Sequence, residues 1–254
     1  MTDVLKPCFD RNECLLKVAD EIKNPFVLSK VDDVPKSVLC FLFAQLRNLY
    51  ESTIILLRKG FPQQAYILLR SLQEGYINIC WILAEEDEIV RRASSWIAYD
   101  VIERKRMLHH IKRGRELDTA IKAEWLRKEK KLLEEYEQFK DMANMWPKTV
   151  LNRCEEAKLA GEYPLYCHSS SKAHLSPRMT LDQVKFNGQT WKYKIGATLD
   201  KQDILRPLVS SHRYFLLALV YLCQFFGVKP DKKLRWHARI WTGHLPRDVK
   251  LFLG

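Results

Sequence analysis

Apolar residues recur every three or four positions along most of the chain, which places them on one face of an α-helix. This period predicts long helices over residues 35–59, 62–83, 88–112 and 201–227, and a shorter helix over 12–23. The pattern therefore predicts a series of amphipathic helices whose apolar faces pack against one another.

Proline and glycine positions indicate how two of these helices are connected. Pro35 lies in the first turn of the helix over 35–59, Gly60 follows its end, and Pro62 begins the next helix. Because so few residues separate the two helices, they are expected to form an antiparallel helical hairpin. The predicted fold class is all-α, an antiparallel bundle of long helices.

The segment near residues 183–195 departs from the helical period. Apolar and polar side chains alternate there on both sides of Asn187-Gly188. An Asn-Gly pair between alternating residues is typical of a two-residue β-turn. One small β-hairpin is therefore predicted as an excursion from the bundle.

Composition divides the chain into three predicted parts. These are an N-terminal helical segment over 1–30, a bundle domain with the hairpin over 31–228, and a basic C-terminal tail over 229–254. The most apolar run, residues 214–228, has 15 residues, fewer than the roughly 20 that span a bilayer. It predicts a buried core helix and no association with a membrane.

The N-terminal residues and the cysteines bear on the cellular compartment. No apolar segment followed by a cleavage site is present at the N-terminus, and the seven cysteines show no CxxC spacing. Reduced thiols and a cytoplasmic location are predicted. The chain also lacks HExxH, Walker A and GxGxxG motifs, so neither a metal nor a cofactor is predicted.

The charge balance favours acidic partners. Lys and Arg number 42 against 31 Asp and Glu, a formal net charge of +11. Such a surplus favours polyanionic partners, which are nucleic acid (RNA or DNA), nucleotides or an acidic protein surface. A soluble basic protein without a polyanionic partner is the alternative.

Two formal charges stand in the apolar stretch AYILLRSLQEGYINICWIL, residues 65–83. Arg70 and Glu74 are four residues apart, so they share one helical face with apolar neighbours. Burying an ion pair is costly, because desolvation offsets the attraction. The pair is expected to point into the bundle, where it either fixes the helix register or lines a polar pocket.

Two segments resemble a known family. The first is LLRSLQEGYINICWIL, and the second is YCHSSSKAHL at residues 166–175. In the second, Tyr166, Ser170 and His174 recur every four residues and share one face if the segment is helical. Both segments are similar to the bacterial family known as domain of unknown function 5677, and the similarity spans roughly residues 36–225. Asp100 and Arg104 also resemble polar positions that this family places toward the same interior.

The resemblance implies a helical bundle related to the HEPN-like toxins and phage-defence proteins, some of which are metal-independent ribonucleases. In those enzymes a histidine moves a proton and an arginine stabilises the charged phosphorane. Arg104 and His109 match the Arg-x4-6-His spacing of that group. The candidate catalytic residues are His174, Arg70, Glu74, Tyr166 and Ser170. A non-enzymatic module that binds a ligand or a protein is the alternative.

A strongly basic stretch, ERKRMLHHIKRGR, provides the candidate nucleic-acid contacts, because cations at helical spacing bind phosphates and release counterions. Its alternative is a solvated helix face. The residues concerned are Arg104, Arg106, His109, His110, Lys112, Arg113 and Arg115.

Two further surfaces are expected to make contacts. The highly charged helix over 115–142 has a narrow apolar stripe, which is typical of a bundle edge or of an arm that meets a protein partner. A homodimer is a further alternative. In the tail, Trp236 and Trp241 alternate with cations, and the preferred interpretation is that they dock the tail onto the bundle.

Overall fold

A computed structural model describes residues 5–22, 33–113, 119–173, 184–186, 188–193, 200–241, 243–245 and 247–253. It confirms the predicted all-α class. The helices in chain order are α1 Lys6–Ile22, α2 Val34–Arg58, α3 Pro62–Leu83, α4 Ile89–Arg113, α5 Thr119–Asn144, α6 Val150–Glu156, α7 Glu162–Ala173, α8 Lys201–Phe225, α9 Lys232–Arg239 and α10 Arg247–Leu253.

Helices α2 and α3 form the helical hairpin that the proline and glycine positions predict. Asp33 caps α2 by accepting a hydrogen bond from the Lys36 amide at 3.1 Å. After α2, Gly60 adopts φ +78°, a left-handed conformation that ends a helix readily. A Cβ on Gly75 would lie 2.5 Å from Leu46 Cδ2, so the glycine allows α3 to approach α2 closely.

The centre of the core is formed where α3 and α8 pack against each other and against α2. Phe215 of α8 is fully buried and stacks on Tyr50 of α2, with ring centroids 4.4 Å apart. Among the described residues, α8 is the one helix long and apolar enough to cross a membrane. However, 67% of its most apolar 18-residue stretch is buried inside this fold. That burial agrees with the core helix predicted over this run.

Helix α5 packs chiefly against α4. A small apolar cluster of its own, centred on Val101, Leu108 and Leu132, joins the two helices. The exposed side of α5 carries ion pairs such as Lys128–Glu124 at 2.6 Å. The narrow apolar stripe predicted for this helix therefore faces α4, and α4 and α5 form a paired arm.

Two strands of three residues, β1 Val184–Phe186 and β2 Trp191–Tyr193, pair antiparallel. The predicted two-residue turn is wrong, because Phe186 pairs with Trp191 and four residues therefore connect the strands. Gly188 adopts φ +92°. The positive φ that an Asn-Gly pair favours is therefore present, but in a four-residue connection.

Both chain ends contain more helix than the apolar pattern predicts. Helix α1 begins six residues earlier than residue 12, since Leu5 and Phe9 are buried against the core. The basic C-terminal segment contains α9 and α10, and Asp231 caps α9 by accepting from the Leu234 amide at 2.7 Å. These helices form because a few apolar side chains, such as fully buried Leu234, reach the core.

The two tryptophans of that segment dock unequally. Trp241 packs against the core and its indole N–H donates to His212 Nδ1 at 3.2 Å. Trp236 remains 42% exposed, with the Arg11 guanidinium 4.3 Å from its ring centroid. The preferred docking interpretation therefore holds in full for Trp241 and only partly for Trp236.

Candidate functional site

Arg70 and Glu74 contact each other, and Arg70 also contacts Tyr166 of α7, in agreement with the predicted direction of the pair into the bundle. Arg70 Nη1 lies 3.6 Å from Glu74 Oε2, and Arg70 Nη2 donates to the Tyr166 hydroxyl at 2.5 Å. Their side chains are 29% and 32% exposed. They therefore line an open space between helices, which distinguishes a polar pocket from a sealed ion pair.

Arg153 on α6 is a second arginine at this site, and sequence analysis missed it. It is 5% exposed, and its Nη2 donates to Glu74 Oε1 at 2.9 Å while its Nη1 donates to the Pro147 carbonyl at 3.1 Å. Its guanidinium carbon lies 5.0 Å from the centroid of the Trp146 ring. Burial lowers the pKa of Arg153, and the neighbouring Glu74 carboxylate opposes that shift. Glu74 thus bridges two arginines.

These residues line a cleft of about 750 Å³, here called the arginine cleft. Two further charged side chains, Lys148 and Asp100, lie at the cleft, and Asn78 lies in its wall. Most of the remaining lining is aromatic, and Phe41 and Trp96 contact each other with ring centroids 5.7 Å apart. The aromatic lining residues are Phe41, Trp96, Tyr99, Trp146 and Tyr166.

Three polar atoms in the wall of the arginine cleft are buried and have no hydrogen-bond partner among the described residues. They are the Nε donors of Arg70 and Arg153 and the Oδ1 acceptor of Asn78. An unpaired buried polar atom is unfavourable by about 1–3 kcal/mol, more when the group is charged. Two such guanidinium donors favour a ligand that brings acceptor oxygens into the cleft.

Burial also raises the pKa of the Tyr166 hydroxyl, with Glu74 adding to the shift and Arg70 opposing it. Tyr166 therefore stays protonated at neutral pH. Its O–H can donate a hydrogen bond to a ligand while its oxygen accepts from Arg70.

A second cleft, of about 420 Å³, lies between α4 and α5 and is here called the histidine cleft. Three of the predicted nucleic-acid residues line it: Arg106, His109 and His110. No carboxylate lines it within the part of the chain that the structure describes. It shares a wall with the arginine cleft, because both are lined by Tyr99, Trp146 and Lys148.

The other predicted nucleic-acid residues lie elsewhere. Arg104 is held by two carboxylates, Asp100 at 2.6 Å and Glu135 at 2.9 Å. Lys112 pairs with Glu129 across the α4–α5 interface. Arg113 is exposed at the end of α4, and Arg115 lies outside the described residues.

Arg104 and His109, the pair that matches the ribonuclease spacing, therefore have different surroundings although both lie on α4. His109 lines the histidine cleft, whereas the guanidinium of Arg104 is occupied by Asp100 and Glu135. An arginine with two carboxylate partners has little charge left for a phosphorane. The geometry favours Arg70 and Arg153 as the anion-binding arginines.

Tyr166 joins the arginine cleft, and Ser170, one turn further along α7, is half-buried and is not among the residues that line it. His174 lies outside the described residues, so its place beside Arg70 stays a prediction. Across the described ranges, no group of three or more His, Cys, Asp or Glu side chains could hold a metal ion.

A family model matches residues 36–189, and it is described as a family of unknown function, DUF5677. The matched residues are more than half of the chain. The chain belongs to DUF5677. The match includes every residue that lines the arginine cleft and ends before α8, whereas the sequence resemblance extended to residue 225. Searches of the curated proteins and of the solved structures gave no match.

The signal that could have revealed Arg153 is indirect. Thr149 accepts a hydrogen bond from the Asn152 amide at 3.1 Å and so caps α6, and this cap-like residue after Pro147 marks the helix in the sequence. Nothing in the sequence connects that helix to Glu74, which lies 79 residues away. The contact appears only in three dimensions.

Proposed function

We propose that this DUF5677 protein binds single-stranded nucleic acid, RNA in particular, along the adjoining arginine and histidine clefts. The observation that carries the proposal is the pair of buried, unpartnered guanidinium Nε donors beside five aromatic side chains. Phosphate oxygens would accept from the arginines, and bases would stack on the rings. The HEPN-like relationship and a role in a toxin or phage-defence system are part of the same proposal and rest on the resemblance of residues 68–83 and 166–175.

The shape of the two clefts supports a nucleic-acid strand as the ligand in preference to a single phosphate. Lys148 and Trp146 belong to both clefts, so a chain could pass from one to the other without leaving the surface. Half-buried Trp96 and Tyr99 provide ring faces on the way. Stacking of a base on an aromatic side chain contributes about 1–3 kcal/mol and tolerates any base.

Charge supports the same ligand. The chain carries a net charge of +11, and the histidine cleft adds Lys105 and Arg106 to the shared Lys148. Binding that releases counterions weakens steeply with salt. Cleavage of the RNA is the enzymatic form of this proposal, and it assigns proton transfer to His174 with Arg70 holding the anionic intermediate.

Fluorescence anisotropy with a short labelled RNA, single-stranded or duplex, tests the proposal. The single strand is expected to bind more tightly, with affinity falling steeply between about 50 and 200 mM salt. Trp96→Ala should weaken binding by about 1–3 kcal/mol through lost stacking. Lys148→Gln should lower the salt slope by about one.

Lys130→Gln is the matched control for Lys148→Gln. Lys130 is 91% exposed on α5 and does not line either cleft. If both lysine variants reduce RNA binding equally, the clefts are not the binding surface. Absent or salt-insensitive binding would instead favour the non-enzymatic module that binds a small ligand or a protein.

A further inference from the structure

A third pocket, of about 520 Å³, lies on a different side of α3 and α7 and is closed by α8 and the segment after α9. None of its described lining residues belongs to the arginine or the histidine cleft. We call it the glutamine pocket. Its polar and aromatic lining includes Tyr66, Gln73, Ser169, Arg206, Trp241 and His244.

Gln73 places an unpaired acceptor in the wall of this pocket. The side chain is 2% exposed, and its Oε1 has no hydrogen-bond partner within the part of the chain that the structure describes. The amide of Gln73 hydrogen-bonds to Tyr214, and the Tyr214 hydroxyl donates to Glu162 at 2.9 Å. Because the Tyr214 hydroxyl uses its hydrogen in the bond to Glu162, the Tyr214 oxygen acts as the acceptor for Gln73 Nε2. The carbonyl of Gln73 is thereby left to meet a donor from elsewhere.

The network behind Gln73 is rigid. Arg213 donates to both oxygens of Glu162, at 3.0 and 2.5 Å, and Glu162 in turn holds Tyr214. Bidentate guanidinium–carboxylate pairs fix the geometry of both partners. The orientation of the Gln73 amide is therefore set before any ligand arrives.

Two aromatic rings form part of the pocket wall. The indole of Trp241 is held by its hydrogen bond to buried His212 at 3.2 Å. Tyr66 is half-buried and meets His168 edge-on, with ring centroids 6.4 Å apart. Aliphatic side chains, including Leu69, complete the wall. These surfaces suit a planar ring.

The exposed part of the pocket favours an anion. Arg206 is exposed on α8, and it makes no ion pair within the residues that the structure describes. His168 and His244 lie nearby in the lining, and no carboxylate is among the described lining residues. An exposed arginine beside a planar slot is suited to a phosphate joined to a ring.

We propose that the glutamine pocket binds a nucleoside monophosphate. Its base donates an N–H to Gln73 Oε1 and packs against the aromatic wall, and its phosphate contacts Arg206. The volume is in the range of pockets that hold small ligands, about 300–1,000 Å³. This site is independent of nucleic-acid binding in the other two clefts.

Isothermal titration of the full chain with AMP, adenosine and ribose 5-phosphate tests the site. AMP is expected to bind more tightly than either fragment, because only AMP supplies both the base and the phosphate. Arg206→Gln should weaken AMP binding about tenfold to a hundredfold, the effect of one hydrogen bond to a charged group. Lys201→Gln, an equal charge change at an exposed position of α8 outside the pocket, should leave it unchanged.

Gln73→Leu should reduce AMP affinity toward that of ribose 5-phosphate. Because Gln73 is buried, its replacement can also affect folding, so Val209→Trp gives a second test. Val209 is 37% exposed in the pocket lining, and a larger side chain there should fill the pocket and abolish AMP binding. AMP binding no tighter than that of ribose 5-phosphate, retained binding in Val209→Trp, or equal losses in the Arg206 and Lys201 variants would overturn the proposal. Lys148→Gln should alter RNA binding and leave AMP binding intact, so failure of one proposal is distinguishable from failure of the other.

Discussion

Removal of the Glu74 carboxylate is the sharpest test of how the arginine cleft is held together. Glu74→Ala leaves Arg153, which is 5% exposed, without its carboxylate partner at 2.9 Å. Loss of one partner from a buried pair destabilises by about 3–5 kcal/mol. Glu74 itself is 32% exposed, and Arg153 keeps its bond to the Pro147 carbonyl and its contact with Trp146. The expected loss is therefore reduced to about 2–3 kcal/mol.

Urea denaturation measures that loss, and a thermal melt should show a decrease in Tm of about 5–10 °C for a chain of this size. Glu86→Ala is the control, because Glu86 is exposed in the turn before α4 and its removal should change stability by less than about 0.5 kcal/mol. The double variant Glu74→Ala Arg153→Met should be less destabilised than the sum of the single variants, by about 1 kcal/mol or more. A Glu74→Ala protein that melts with the wild type, or strict additivity in the double variant, would refute a stabilising role for this pair.

Three further outcomes are expected. If the chain is a ribonuclease, His174→Ala should fold like the wild type by circular dichroism and lose both RNA cleavage and growth toxicity. A variant that behaves like the wild type in both assays would make His174 a structural residue and end the enzyme hypothesis. Arg106→Gln should weaken RNA binding in anisotropy more than Lys112→Gln. Each side chain forms one ion pair, with Glu103 and Glu129 respectively, but Arg106 lines the histidine cleft and Lys112 is not among the described lining residues. Equal losses would contradict that placement. Burial lowers the pKa of His212 from 6.5 to about 3 and that of His237 from 6.5 to about 4. Below pH 6.5 the unfolded chain therefore binds protons that the folded protein does not. The free energy of unfolding should decline as pH falls below 6.5 and continue to decline toward the folded pKa values. The urea midpoint between pH 7 and 5 measures this decline, and His237→Gln should reduce it; the same pH dependence in that variant would show that other groups cause it.

The helical bundle could be predicted because each long helix carries its own local signals. Pro35, Gly60 and Pro62 mark the ends of α2 and α3, and both helices form at those positions. The apolar period is strong in these segments because one face of each helix must be buried. Helix α9 was missed because its apolar contribution is little more than Leu234 and Ala238 among many cations.

The candidate site could be predicted only in part, because it depends on contacts between distant residues. Arg70 and Glu74 are visible as charges in an apolar stretch, and Tyr166 is visible through the family resemblance. Arg153 and Trp146 carry no comparable signal, since Glu74 and Arg153 are 79 residues apart. The spacing of Arg104 and His109 shows a different limit: the two residues match a motif in the sequence, but the sequence does not indicate that carboxylates of α4 and α5 hold Arg104.

The distribution of unpaired polar atoms explains why α3 carries charges among apolar residues. Of the seven buried side-chain nitrogen and oxygen atoms without a partner among the described residues, four belong to α3: those of Arg70, Gln73, Tyr76 and Asn78. A helix that used polar residues only to fix its register would pair these atoms, because each unpaired one is unfavourable. Arg70 and Asn78 face the arginine cleft, and Gln73 faces the glutamine pocket. Three of these four α3 residues thus line an open space, whereas Tyr76 is not among the described lining residues of any of the three pockets. This placement supports the proposal that ligands complete the polar groups of Arg70, Gln73 and Asn78.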